Sequence, residues 1–148
     1  MKKIYYTLTI IGLLIFGCKK SNDAPSKEIL LTQKEWVVTA ERTQKNNEPW
    51  KDVFSTDDPC FKDNRIIFRS NGKYDITEGP TKCNPGDPQI AEQDESWAFT
   101  DNKTKITLTH NGGFHLTILQ LDETTFKMLH EYTQSGSSYK EETTLSHP

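Results

Sequence analysis

The sequence predicts an all-β protein: an eight-stranded up-and-down antiparallel barrel, after an N-terminal signal peptide and a short tether. Three observations predict it. From Trp36 onward the chain falls into eight short runs in which apolar and polar residues tend to alternate, the period of a strand with one buried face. Clusters of Gly, Asn, Asp and Pro separate the runs, and these are the residues that make turns. No long helical pattern offers the strands another layer to pack against, so they are expected to close on one another.

A chain of 148 residues allows one domain with a real core. Its first residues are not part of that core. Lys2 and Lys3 form a positive start, and Ile4 to Gly17 is apolar, too short to span a bilayer but suited to a secretory leader. The run closes on Ile15-Phe16-Gly17-Cys18, which resembles the lipobox of bacterial lipoproteins. In that family the cysteine is acylated and becomes the mature N-terminus. The alternative is an ordinary signal peptide with a coincidental cysteine. The division that follows is 1–17 as lipoprotein signal peptide, 18–28 as acylated polar tether and 29–148 as barrel domain. The partner it implies is a lipid bilayer, held through acylated Cys18, each buried methylene contributing ~0.8 kcal/mol.

With Cys18 taken by lipid, Cys60 and Cys83 remain as an even pair. An exported protein sits in an oxidising compartment, so a disulfide between them is expected. Closing a loop with a sequence separation of 23 contributes roughly 3 kcal/mol on a chain-entropy account. Two cysteines make half a zinc site, and no histidine has ligand spacing to either. The formal charge is −3, and loss of Lys2 and Lys3 with the leader takes it to −5. That balance argues against a nucleic-acid partner.

The elements follow in order. A helical turn is expected within Glu28–Glu35, with Thr32 as N-cap and Glu35 at the capping-box position. The first strand covers about Trp36–Gln44, with Trp36, Val38 and Ala40 on one face. A polar loop, Lys45 to Lys62, carries Trp50, Phe54 and Phe61. Strands at Arg65–Arg69 and Tyr74–Glu78 form a hairpin around Ser70-Asn71-Gly72. A three-residue loop with Gly72 left-handed pairs Phe68 with Tyr74 and Ile66 with Ile76, whereas a two-residue turn sets Phe68 against Asp75. A second long loop, Gly79 to Asp94, holds Pro80, Pro85 and Pro88, and Glu92, Asp94 and Glu95 read as a solvated acidic loop. Further strands are expected at Glu95–Thr100, Lys105–Thr109, Phe114–Gln120, Thr125–Thr133 and Ser138–Leu145. Matching apolar partners sets Trp97 against Leu108, Leu108 against Leu116, and Phe126 against Leu145. The last hairpin then places His130 opposite Glu141 and Tyr132 opposite Tyr139.

One inner face results: Phe68, Tyr74, Trp97, Phe99, Leu108, Leu116, Phe126 and Met128, with Ile66, Ile76, Ile106, Phe114 and Ile118. In an up-and-down barrel successive connections alternate between ends. Both long loops therefore share one rim, where the disulfide staples one to the other, and Trp36 belongs to the opposite, closed end. His110, Phe114, Tyr132 and Tyr139 fall near the rim.

The ordered pattern is a lipobox cysteine, a polar tether, Leu31 and Trp36, then Asp-Pro-Cys at 58–60, Asp63-Asn64 and Phe68-x-x-Asn-Gly-x-Tyr74. Glu78-Gly79-Pro80-Thr81-Lys82-Cys83, Asp87-Pro88-Gln89 and Trp97-x-Phe99 complete it. Over about residues 30–145 it resembles the small lipocalin-like lipoproteins of Gram-negative bacteria. The resemblance implies the eight-stranded barrel and an apolar ligand. It also implies lipid anchoring in the cell envelope, at the outer membrane. One departure is Lys34, where lipocalins usually carry glycine two residues before the first tryptophan.

The functional expectation is a membrane-anchored protein that binds a small apolar or amphipathic ligand at the barrel mouth. Candidate contacts are Trp50, Phe54, Phe61, Phe114, His130, Tyr132, Tyr139 and Glu141, the loop aromatics acting as a lid. The alternative is an interaction, accessory or inhibitor lipoprotein whose barrel is filled by side chains, since eight strands enclose little more than their own side chains. No catalytic residue, cofactor or metal is expected. His110 and His115 fall on opposite faces, and Asp57, Asp58, Asp63 and Asn64 match no calcium loop.

Overall fold

The structure, a computed structural model, describes residues 24–110 and 113–148; the expected leader and the expected lipidation site at Cys18 lie outside the described residues. Its strands are β1 (Trp36–Lys45), β2 (Lys51–Asp52), β3 (Arg65–Phe68), β4 (Lys73–Thr77), β5 (Ile90–Thr100), β6 (Lys105–Leu108), β7 (Phe114–Leu121), β8 (Thr125–Gln134) and β9 (Ser137–Ser146). Two short helices join them, α1 (Lys27–Thr32) and α2 (Pro59–Lys62). Apart from β2, each strand pairs antiparallel with the next, and β1 pairs with β9, so eight strands close into the expected up-and-down barrel.

The registers follow side-chain burial. Phe68 faces Tyr74 and Ile66 faces Ile76, with Gly72 at φ 78° completing the bulged turn. Trp97 faces Leu108, while Phe126 faces Leu145 and His130 faces Glu141. One register differs: Leu108 pairs with Phe114 and Ile106 with Leu116. The β6–β7 pairing ends at Leu108 and Phe114, while Thr109 continues the pairing with β5 by donating its N–H to the Ser96 carbonyl. The slip is two residues, so the inward face is preserved.

All eight expected lining residues belong to the core. Phe68, Tyr74, Trp97, Leu116, Phe126 and Met128 are buried, and Phe99 and Leu108 pack against them. Trp36 is fully buried at the closed end, where its indole donates to the Leu31 carbonyl at 2.9 Å. The helix over that end differs from expectation. It begins at Lys27 with Ser26 as its N-cap, and Thr32 is its last residue. The reason is burial: this placement turns Leu30 and Leu31 inward. Lys34 is exposed in the turn before β1, so the barrel base closes without a glycine there.

The seam between β1 and β3 is short. Only Trp36 with Ile66 and Val37 with Arg65 pair across it. Higher on the same edge of β1, β2 pairs Asp52 with Arg42 and Lys51 with Thr43. Above the two-residue seam, the loops after β2 and β4 are joined by the Cys60–Cys83 disulfide, with Cα atoms 5.1 Å apart. Gly79 lets those loops touch: a Cβ there would lie 2.1 Å from the Asp63 carbonyl oxygen.

Candidate functional site at the open end of the barrel

Core side chains fill the closed half of the barrel, and the open half is lined differently. A recess of about 500 Å³ opens there, lined by Phe114, His130, Tyr132 and Glu141 with Gly113, Thr133 and Gln134. Three strands supply its walls. Phe114 starts β7, while His130 and Glu141 are cross-strand partners on β8 and β9, which sets both side chains on the same face.

The polar groups hold one another in place. The Tyr132 hydroxyl donates to Glu141 Oε1 at 2.6 Å, and His130 Nδ1 lies 3.6 Å from Glu141 Oε2. That hydrogen bond, helped by burial and the carboxylate charge, pushes the Tyr132 phenol up to about 12. The rings form a continuous run. Phe114 meets His130 edge-on with centroids 5.4 Å apart, His130 stacks on Tyr132 at 4.9 Å, and Tyr132 stacks on Tyr139 at 5.3 Å. Five of the eight residues read from the sequence as ligand contacts thus come together.

The three loop aromatics do not join them. Trp50 packs on the outer wall, under the Arg42 guanidinium 4.7 Å from its ring centroid, because β2 pairs along the edge of β1 and sets Asp52 opposite outward-facing Arg42. Phe54 lies 5.3 Å from the Lys62 ammonium, and Phe61, beside the disulfide, is 57% exposed. The loop instead approaches the mouth through Asp57, whose charge acts on Glu41.

Four carboxylates of the mouth include three that sequence reasoning missed. Glu41 pairs with Thr143, which pairs with buried Met128, so Glu41 points inward like Glu141. Glu92 and Glu95 were expected in a solvated loop. They belong to β5, opposite Ile76 and Tyr74. A β-bulge makes that possible: Asp94 sits at φ 57°, its N–H bonded to the Asp75 carboxylate and its own carboxylate to Arg69. The extra residue sends both glutamates to the inner face. His110 Nδ1 approaches Glu92 at 3.3 Å and Glu95 at 3.8 Å. These three side chains bring ligand atoms within 4.8 Å of one another, the one such grouping among the described residues suited to a metal ion. Nothing in linear spacing announces it, because it depends on the bulge. The Tyr74 phenol below is raised by burial and by the charges of Glu95 and Glu92.

Asp63 and Asn64 do turn chemistry, accepting from the Thr81 and Gly79 N–H groups across the stapled loops. A second recess, about 350 Å³, lies outside the barrel beside Arg65, Thr77 and Gly79. The Arg65–Glu35 ion pair at 2.6 Å spans part of its wall, and it contains no aromatic ring.

The sequence model of the lipocalin-like domain family matches residues 32–128, from the end of α1 into β8. Among curated proteins none matches the chain.

Proposed function

Because the chain belongs to the lipocalin-like domain family, we propose that it is a membrane-anchored, non-catalytic binding protein that takes a small amphipathic ligand at the open end of its barrel. The observation that carries the binding reading is the recess of about 500 Å³ among Phe114, His130, Tyr132 and Glu141. Its size falls in the range of small-ligand pockets, and its lining combines aromatic rings with a few convergent polar groups. The anchoring reading draws on Lys2, Lys3, the apolar run and Gly17-Cys18. Acyl chains on Cys18 would hold the barrel to the outer membrane of a Gram-negative cell envelope, with the residues before α1 as tether.

The test is titration with N-phenyl-1-naphthylamine, a neutral probe that fluoresces in apolar surroundings. Saturable uptake is expected, weakened about tenfold in Phe114→Ala, as loss of roughly 1.4 kcal/mol of contact would give. No saturable uptake by the parent chain would overturn the binding reading. A second reading, an accessory or inhibitor lipoprotein working through protein contacts, draws on the filled closed half and on Phe61, 57% exposed on the stapled loop. It predicts no uptake, and a partner that photo-crosslinks through position 61.

A further inference from the structure

We infer that the ligand's head group is an organic ammonium, held among the aromatic rings and inward carboxylates of the barrel mouth. The inference rests on the binding reading above and adds the charge of what is bound.

The inward face of the open half is acidic by construction. Register turns Glu41, Glu92, Glu95 and Glu141 into the mouth. On the same face of the strands, among the described residues, Lys45 is the one Lys or Arg, opposite Tyr139 at the rim. Its ammonium stands 5.8 Å from the Tyr139 ring centroid. Other strand cations are engaged outside the barrel. Arg42 and Lys127 both pair with Glu142, Lys140 pairs with Glu131, and Arg69 pairs with Asp75 and Asp94. Even with His110 and His130 both protonated, four carboxylates face three cations. Burial, then the charges of Asp57 and Glu141, raises the Glu41 carboxyl, as expected of a part-buried acid among like charges.

The recess adds the second half of the recognition. Tyr132 and Tyr139 lie nearly parallel, at 12°, and His130 and Phe114 continue the run. Ring faces attract a cation, and a carboxylate at the end of such a run is the usual complement of an ammonium. An anionic head group beside Glu141 would meet a lining in which carboxylates outnumber cations; a neutral one would leave that excess uncompensated.

The experiment is isothermal titration calorimetry of the full chain at neutral pH. The ligands are dodecyltrimethylammonium, dodecyl sulfate and dodecanol, each below its micelle concentration. The ammonium is expected to bind at least about tenfold tighter than the sulfate, a difference of roughly 1.4 kcal/mol. The double variant Glu41→Gln/Glu141→Gln should lose about that factor for the ammonium, and so should Glu92→Gln/Glu95→Gln. Glu131→Gln, on the outer wall, should not. Sulfate or dodecanol binding as tightly as the ammonium would overturn the charge assignment while leaving the binding reading in place. Ammonium binding unchanged in both double variants would do the same. No binding of any of the three would end both.

Discussion

At Glu41 the fold holds a carboxyl whose ionisation burial opposes, with the charges of Asp57 and Glu141 adding to the effect. A folded-state value raised above the ordinary 4.5 of a glutamate means that the native state binds the proton more tightly than the unfolded chain. The contribution to stability is therefore fully present below about 4.5 and is lost as pH rises through the folded value. Glu41→Gln keeps the shape and removes the charge. It is expected to be more stable than the parent at neutral pH, with the advantage fading as the pH is lowered toward 4.5. Urea unfolding of both chains at several pH values reads this directly, and a variant less stable at neutral pH would contradict it. Asp122 shows the opposite case. The Gln120 side chain and the Thr124 and Thr125 N–H groups hold its carboxylate near 2, a contribution lost only as pH falls below 3.8 toward that value.

Among the elements, the β1–β3 seam is the weak join, and the disulfide lies just beyond it. Two residue pairs close the barrel there, whereas β1 and β9 pair along nearly their whole length. Cys60→Ser/Cys83→Ser is expected to cost about 2–5 kcal/mol, the usual range for loss of a native disulfide from a small domain. The loss should appear as early proteolysis within the two long loops. Cleavage elsewhere first, with unfolding unchanged, would remove the staple's role. Gly79→Ala tests the same join without touching sulfur, since its Cβ would strike the Asp63 backbone; a destabilisation of roughly 1–3 kcal/mol is expected.

This scale also shows what was legible in the sequence. Hairpins with short, chemically specific turns were readable, because Phe68 with Tyr74 and Trp97 with Leu108 leave one sensible register. The β6–β7 pairing was not, because a slip of two residues keeps the same face inward, and Leu108 finds an apolar partner in either Phe114 or Leu116. The aromatic recess was legible through strand parity alone. The inward turn of Glu92 was hidden in the bulge at Asp94, whose cause, Arg69 and Asp75, lies some twenty residues upstream. The misplaced Trp50 has the same kind of origin: β2 folds back on the outer edge of β1, and a two-residue strand leaves no periodicity to read.

As a whole the molecule divides its barrel into two halves with different work. The closed half holds Trp36, Phe68, Phe126 and Leu145, all essentially without exposure, capped by α1 and by His147, whose ring lies 4.1 Å from that of Trp36. The open half carries partly exposed polar and aromatic side chains that bury little apolar area. Hydrophobic stabilisation follows buried area, so stability should sit at one end and binding at the other. Trp36→Ala is expected to cost about 3–5 kcal/mol, a cavity at the base that the close-packed neighbours cannot fill. Glu141→Gln is expected to change stability by less than about 0.5 kcal/mol, since the amide oxygen still accepts from Tyr132 and surface-like sites respond weakly. Its effect on ammonium binding should nonetheless be large. Paired urea unfolding and calorimetry on the two variants separate the halves. If Glu141→Gln unfolded as easily as Trp36→Ala, the mouth would be structural core, and the polar groups there would be holding the barrel together rather than waiting for a ligand.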